Sequence, residues 1–306
     1  MPSHLVHIQL TQTLLDSPRH RPRWVGDEEA LNALYHGALG PDMGYFPGVD
    51  PLLSGLAHYV CPVRLARALL DRASTPVEEA YAWGWLTHVL ADAQVHQHVN
   101  RVAGLIDHGS ADLPSTPSDS VAAHVMVEVG LDAQRMVEHP GSERIRLRPV
   151  FDRSGIGFIA GAYAETYDLE FEPSTLLAAH LAVVRYQPIL FRFLWLMGRR
   201  QAGRYGVVDL AFLPALMAVR ASTAVFARRS LLYGATHPLP PPEWFLAQVE
   251  EVFGSFAAVF YSHLAEGLAA LPELNLDTGE PEDPDHPYPP AEEARAELTA
   301  RLRGAS

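Results

Sequence analysis

His88, Asp92 and His96 recur at intervals of four residues inside the apolar stretch Trp83–Asn100. On a helix, positions i, i+4 and i+8 share one face, so this spacing predicts a stripe of imidazole, carboxylate and imidazole. His124 and Glu128 repeat the four-residue interval. Three further residues carry suitable donor atoms: His4 near the start, Asp42 in the loop G-A-L-G-P-D-M-G-Y-F-P, and His58 in S-G-L-A-H-Y. Five imidazoles and three carboxylates make a mixed N/O donor set that suits zinc and, less specifically, other borderline first-row metals. A carboxylate between two imidazole sites can bridge two ions. Two or three neighbouring ions can clamp a phosphate ester, lower the pKa of a bound water and stabilise charge on the attacking and leaving oxygens.

Taken singly, each His/carboxylate pair also reads as a solvated helix face, a lone His4 or His58 as a structural histidine, and Asp42 as a turn residue in Pro-Asp-x-Gly. The stripe differs because the rest of its helix is apolar: Trp83, Trp85, Leu86, Val89, Leu90 and Val95. Its polar side chains therefore face a cavity or the core, where buried His and Asp need partners.

The elements that must position these groups are helical. Apolar residues recur with helical periodicity and strand-like alternation is scarce. Expected helices include Leu5–Asp16, Val77–Arg101, Ser120–Glu138, Ser174–Arg200, Val207–Leu232 and Pro242–Ala270, with a short one, Pro290–Arg303, closing the chain. Thr75-Pro76 followed by Glu78 and Glu79 is a helix start. The expected organisation is a metal-site helical region over 1–139 and a second helical region over 140–272, packed on the first as one unit. An acidic, Pro-rich linker over 273–290 and a short terminal helix over 291–306 complete it. Eleven of the fifteen histidines fall in the first 139 residues, which places the site in the first region.

Net charge is −13 with His neutral, and all 23 basic residues are Arg. This balance disfavours nonspecific binding to nucleic acid or anionic lipid. The single cysteine, Cys61, excludes an intrachain disulfide and implies no oxidising compartment. The N-terminal residues lack a basic region followed by an apolar run, so a cytoplasmic protein is expected. The apolar stretches Leu176–Gly198 and Val207–Ala227 are interrupted by charged residues and Pro, and neither reads as a transmembrane segment.

The order of the donor residues resembles the zinc-dependent phospholipase C family, to which single-strand-specific nucleases are related. The resemblance covers about Ser3 to Asp132. S-H-L looks like the first His motif, L-Y-H-G-A-L-G-P-D like the motif that ends in Pro-Asp, and G-L-A-H-Y like the next His motif. G-W-L-T-H-V-L-A-D-A-Q-V-H resembles the most specific motif, and H-V-M-V-E the closing one. The resemblance implies an all-α, multi-helix bundle of the phospholipase C type, here with additional C-terminal helices, and a site for two or three zinc ions. His58, His88 and Asp92, with Asp42, would hold one ion. His96, His124 and Glu128 would hold a second. His4 and Asp92 would help hold a third, with Asp92 as the bridge and Asp42 also a candidate general base.

Two departures bear on this assignment. Secreted phospholipases of the family complete the third site with an N-terminal Trp, whereas Met1 or Pro2 stands here, so the third ion is missing or differently held. The next His lies four or six residues after the Asp in different branches, and this chain has both His96 and His98. On a continuous helix His96 keeps the Asp92 face and is the expected ligand. His7 reads as a surface residue or a support for a ligand, and Asp132, one turn beyond Glu128, as a group that orients a ligating His.

The expected activity is hydrolysis of a phosphoester, with phospholipids among the candidate substrates, no stable nucleic-acid complex and an unassigned oligomeric state. The alternative is a metal-stabilised structural or binding protein of the same fold without turnover. A single-strand nuclease ranks third because the chain is acidic and lacks a basic patch.

Overall fold

The computed structural model describes residues 4–17, 22–204, 218–222, 230–283 and 288–305. Among these the architecture is all-α. Six helices come first: α1 (His4–Leu15), α2 (Glu28–Ala38), α3 (Leu52–Tyr59), α4 (Pro62–Arg72), α5 (Pro76–His108) and α6 (Pro117–Glu138). A short 3-10 helix, Pro41–Tyr45, lies between α2 and α3. Then follow α7 (Gly157–Tyr167), α8 (Pro173–Gln201), α9 (Leu231–Thr236), α10 (Glu243–Glu266) and α11 (Pro289–Ala305). Most of the expected helix Val207–Leu232 lies outside the described residues. No helix among the described residues is long and apolar enough to cross a membrane.

The helix starts follow local chemistry. At α5 the Glu78 carboxylate accepts hydrogen bonds from the Ser74 and Thr75 N–H groups, while the Thr75 hydroxyl accepts from Glu78 N–H. This reciprocal cap, with Pro76 in the first turn, satisfies donors that no helical carbonyl can reach. α5 continues past the expected Arg101 to His108. α6 starts at Pro117, capped reciprocally by Thr116 and Asp119, and Ser120 interrupts it with φ −153 and ψ 89. The sequence signal for a start at Ser120 thus falls on a kink.

The chain forms two compact units. One comprises Met1–Val6, Val95–Ile145 and Pro188–Val252; the other comprises His7–Gln94, Arg146–Gln187 and Phe253–Ser306. Within the first, Asp132 of α6 accepts hydrogen bonds from the N–H groups of Leu5 and Val6, at 3.1 and 3.2 Å. The carboxylate acts as a cap for the first turn of α1, supplied from a distant point of the chain. α9 packs on α6 in the same unit.

In the second unit α2 and α5 touch backbone to backbone at Gly84. A Cβ at that position would overlap the carbonyl oxygen of Leu34. Glycine inside a helix costs about 1 kcal/mol relative to Ala, and the close approach is what requires it. α3, the 3-10 helix, α4 and α7 pack together, and α11 packs on α3. The hydroxyls of Tyr163 and Tyr167 donate to the carbonyls of Leu53 and Leu56, both at 2.9 Å, and fix α7 on α3.

Candidate metal centre

The second unit holds one cluster of donor residues. His88 lies one turn after Gly84, and the close helix crossing lets its Nδ1 donate to the carbonyl of Ala38 at 2.8 Å. His58 Nδ1 donates to the carbonyl of Ser54, one turn back in α3, also at 2.8 Å. A carbonyl only accepts, so each ring carries its hydrogen on Nδ1 and turns Nε2 toward the cluster. The two Nε2 atoms stand 3.1 Å apart. Asp92 Oδ2 lies 3.1 Å from His88 Nε2 and 3.7 Å from His58 Nε2, and Asp42 Oδ1 lies 3.4 Å from His58 Nε2. All four side chains are buried.

His7 belongs to this cluster as well. Its Nε2 lies 3.2 Å from Asp92 Oδ1, and its ring stacks on His88 with centroids 3.9 Å apart. Burial, and next the neighbouring His88, lower the His7 pKa to about 4. At His88 burial opposes the charged form, but Asp92 and Asp42 outweigh it and raise the pKa. His7, Asp42 and His88 form one three-donor group with donor atoms within 4.8 Å of one another, and His58, His88 and Asp92 form another.

The first unit holds a separate group made by His96, His124 and Glu128. Glu128 Oε1 lies 3.2 Å from His96 Nε2 and 3.5 Å from His124 Nε2. His124 Nδ1 lies 3.2 Å from the side-chain oxygen of Asn100, a polar partner of the kind that fixes a ligand ring in orientation. His98, two residues on from His96, is only half-buried and bonds to Gln248. His4 is buried at the start of α1, but no three-donor group among the described residues includes it.

Chemistry of the donor set decides whether a metal fits. In the cluster around Asp92, two imidazole lone pairs face each other beside two buried carboxylates. Electron-rich atoms held this close are stable only with a positive charge among them. One proton would settle one such contact. A divalent cation settles several at once, and the N/O mixture matches zinc. The group around Glu128 offers the same donor types, two imidazoles and one carboxylate.

An all-α chain with buried His/carboxylate clusters of this kind has the donor chemistry of a zinc protein. The family model described as zinc dependent phospholipase C matches residues 6–156, and the chain belongs to this family. Every candidate ligand except His4 falls inside the matched stretch. No characterised protein and no solved structure matches the chain.

Sequence reasoning read His7 as a surface residue or a support for a ligand; it is buried, which excludes the surface reading, and its contact with Asp92 fits the supporting one. It follows His4 by three residues, and an ideal helix does not place both on one line. α1, however, is buried on nearly all sides from His4 to Thr11, so no face of it is reserved for solvent. The signal that could have found His7 was the absence of any charged residue in that helix.

Proposed function

We propose that this chain is a zinc-dependent phosphoester hydrolase of the phospholipase C type. His58, His88, Asp92 and Asp42 would hold zinc in one unit; His96, His124 and Glu128 would hold it in the other. Bound zinc would polarise a phosphoryl oxygen and lower the pKa of a water molecule.

The chain's own groups supply the remainder. Main-chain carbonyls aim His58 and His88, so little reorganisation is needed when the site fills. Asp42 is buried beside His58 and is the candidate base that takes a proton from the attacking water. Water adds to phosphorus, the ester P–O bond breaks, and the departing oxygen receives a proton. The products are an alcohol and a phosphomonoester when the substrate is a diester. The observation that carries this reading is the meeting of two Nε2 lone pairs and two carboxylates.

The test is hydrolysis of bis(p-nitrophenyl) phosphate by zinc-loaded protein, abolished by chelator and restored by zinc. Asp42→Asn should lower kcat by about 100- to 1000-fold, the range of a lost general base, with most of the zinc retained. Equal losses of zinc and turnover would make Asp42 mainly a ligand. Bound zinc without turnover on phosphomonoesters, phosphodiesters and phospholipids would instead support the structural or binding reading. Preferential cleavage of single-stranded nucleic acid would support the nuclease reading.

A further inference from the structure

A cavity of about 610 Å³ opens beside His58 in the second unit. His58 and Tyr59 of α3 form one side; Thr278, Tyr288, Ala291 and Arg295 are among the residues of the opposite side. That opposite side comes from residues within 275–283 and 288–295, beyond the 6–156 matched by the family model.

This wall is fastened to α3 and α4 and to the residue after Asp92. The Glu273 carboxylate accepts from the N–H groups of Val63 and Arg64 at the start of α4, both at 3.0 Å. Leu274 bridges to Pro281, and the turn between them is closed by Gly279 N–H to Asn275 O at 2.8 Å. Gly279 has φ +75 and sits against Ala93, the residue after Asp92, so closely that a Cβ would overlap its carbonyl oxygen. α11 packs on α3, and Arg301 pairs with both carboxylate oxygens of Asp50, just before α3. Leu276 and Asp277, within a segment whose composition reads as an exposed linker, are buried. Asp277 accepts a hydrogen bond from the Tyr288 hydroxyl, which holds that ring at the cavity, 6.1 Å centroid to centroid from Tyr59.

The volume falls in the range of small-molecule sites. The lining also includes Glu280, Glu282, Asp283 and Glu292, and its guanidinium, Arg295, is paired with Glu282. Such walls repel a second anionic group and suit an aromatic or polar organic group without negative charge.

We propose that this cavity receives the organic group esterified to the phosphate, and that Tyr288, set by Asp277, is the wall residue that contacts it. The inference rests on the phosphoester-hydrolase reading. The specificity of the site would then come from the C-terminal stretch, while the donors that hold zinc come from the family-matched part.

Binding of two non-hydrolysable ligands to zinc-loaded full-length protein tests this by calorimetry. Methylphosphonate carries the anion alone; benzylphosphonate adds an aromatic group. Benzylphosphonate should bind more tightly, and Tyr288→Ala should remove about tenfold of its affinity while methylphosphonate affinity and zinc content stay unchanged. Thr278→Trp, which fills the cavity from the turn, should exclude benzylphosphonate and spare methylphosphonate, and it provides the test should Tyr288→Ala lose helicity. Equal weakening of both ligands, or an unchanged benzyl preference in a folded variant, would overturn the assignment of the cavity and leave the hydrolase reading standing. Failure of wild-type zinc protein to bind either ligand, together with no turnover, would overturn both.

Discussion

The Nε2 atoms of His58 and His88 stand 3.1 Å apart while the Nδ1 hydrogens of both rings are committed to main-chain carbonyls, those of Ser54 and Ala38. The chain thus fixes the tautomer of each ring before any ligand arrives. Asp92 faces both rings at 3.1 and 3.7 Å and is the residue on which that cluster turns.

Asp92→Ala should therefore lose metal and activity together, with turnover reduced at least about 100-fold, beyond what loss of a supporting partner costs. His98→Ala, which alters a half-buried residue bonded to Gln248, should keep zinc content and keep kcat within about twofold. Zinc measured per chain in both variants checks this; near-normal metal in Asp92→Ala would remove it from the ligand set.

His7 is placed to steady Asp92 or to bind metal itself. His7→Ala should weaken zinc binding about 10- to 100-fold, the usual cost of a lost ligand-supporting bond. Competition against a chromogenic chelator measures it. Unchanged affinity would show His7 to be packing alone.

Gly84→Ala pits two effects against each other. Helix propensity gains about 1 kcal/mol, but the new Cβ meets the Leu34 carbonyl, which is α2 backbone rather than a movable side chain. Overpacking of this kind costs about 1–3 kcal/mol, and a clash with rigid backbone lies at the upper end. The expected result in urea unfolding of zinc-free protein is a net loss of about 1–2 kcal/mol. Increased stability would show that the crossing can relax.

These residues also mark what the sequence made legible. The intervals His88–Asp92–His96 and His124–Glu128 were readable because local helix geometry governs them, and all five lie on long helices. The reason for Gly84 was not readable, since it lies in a contact with α2 that no local pattern encodes. The burial of Leu276 and Asp277 was hidden for a related reason: two leucines in an acidic, Pro-rich segment hardly change its composition, yet Leu274 and Leu276 are both buried. The division into compact units was equally invisible, because α1, α5, α8 and α10 each contribute residues to both.

Outside the metal clusters, His180 should make stability depend on pH. Its Nε2 accepts the N–H groups of Val150 and Phe151, its ring stacks on His36 at 3.9 Å, and burial lowers its pKa to about 4. In the unfolded chain it titrates near 6.5. Between these values the unfolded state binds a proton that the folded state refuses, so stability rises with pH. The contribution is complete above about pH 6.5 and falls by about 3 kcal/mol as pH drops to about 4. His180→Gln keeps an acceptor for both N–H groups without the titration. Denaturant unfolding of zinc-free protein should fall less steeply for the variant across that window; parallel curves would refute the assignment.

Zinc binding by the buried His/carboxylate clusters underlies the proposed hydrolase. Elemental analysis of protein purified without chelators and dialysed against trace zinc tests it most directly. At least two zinc ions per chain are expected, reduced by at least one in Asp92→Ala and by at least one in Glu128→Ala. Less than one zinc per chain in correctly folded protein, or a full complement in both variants, would contradict it.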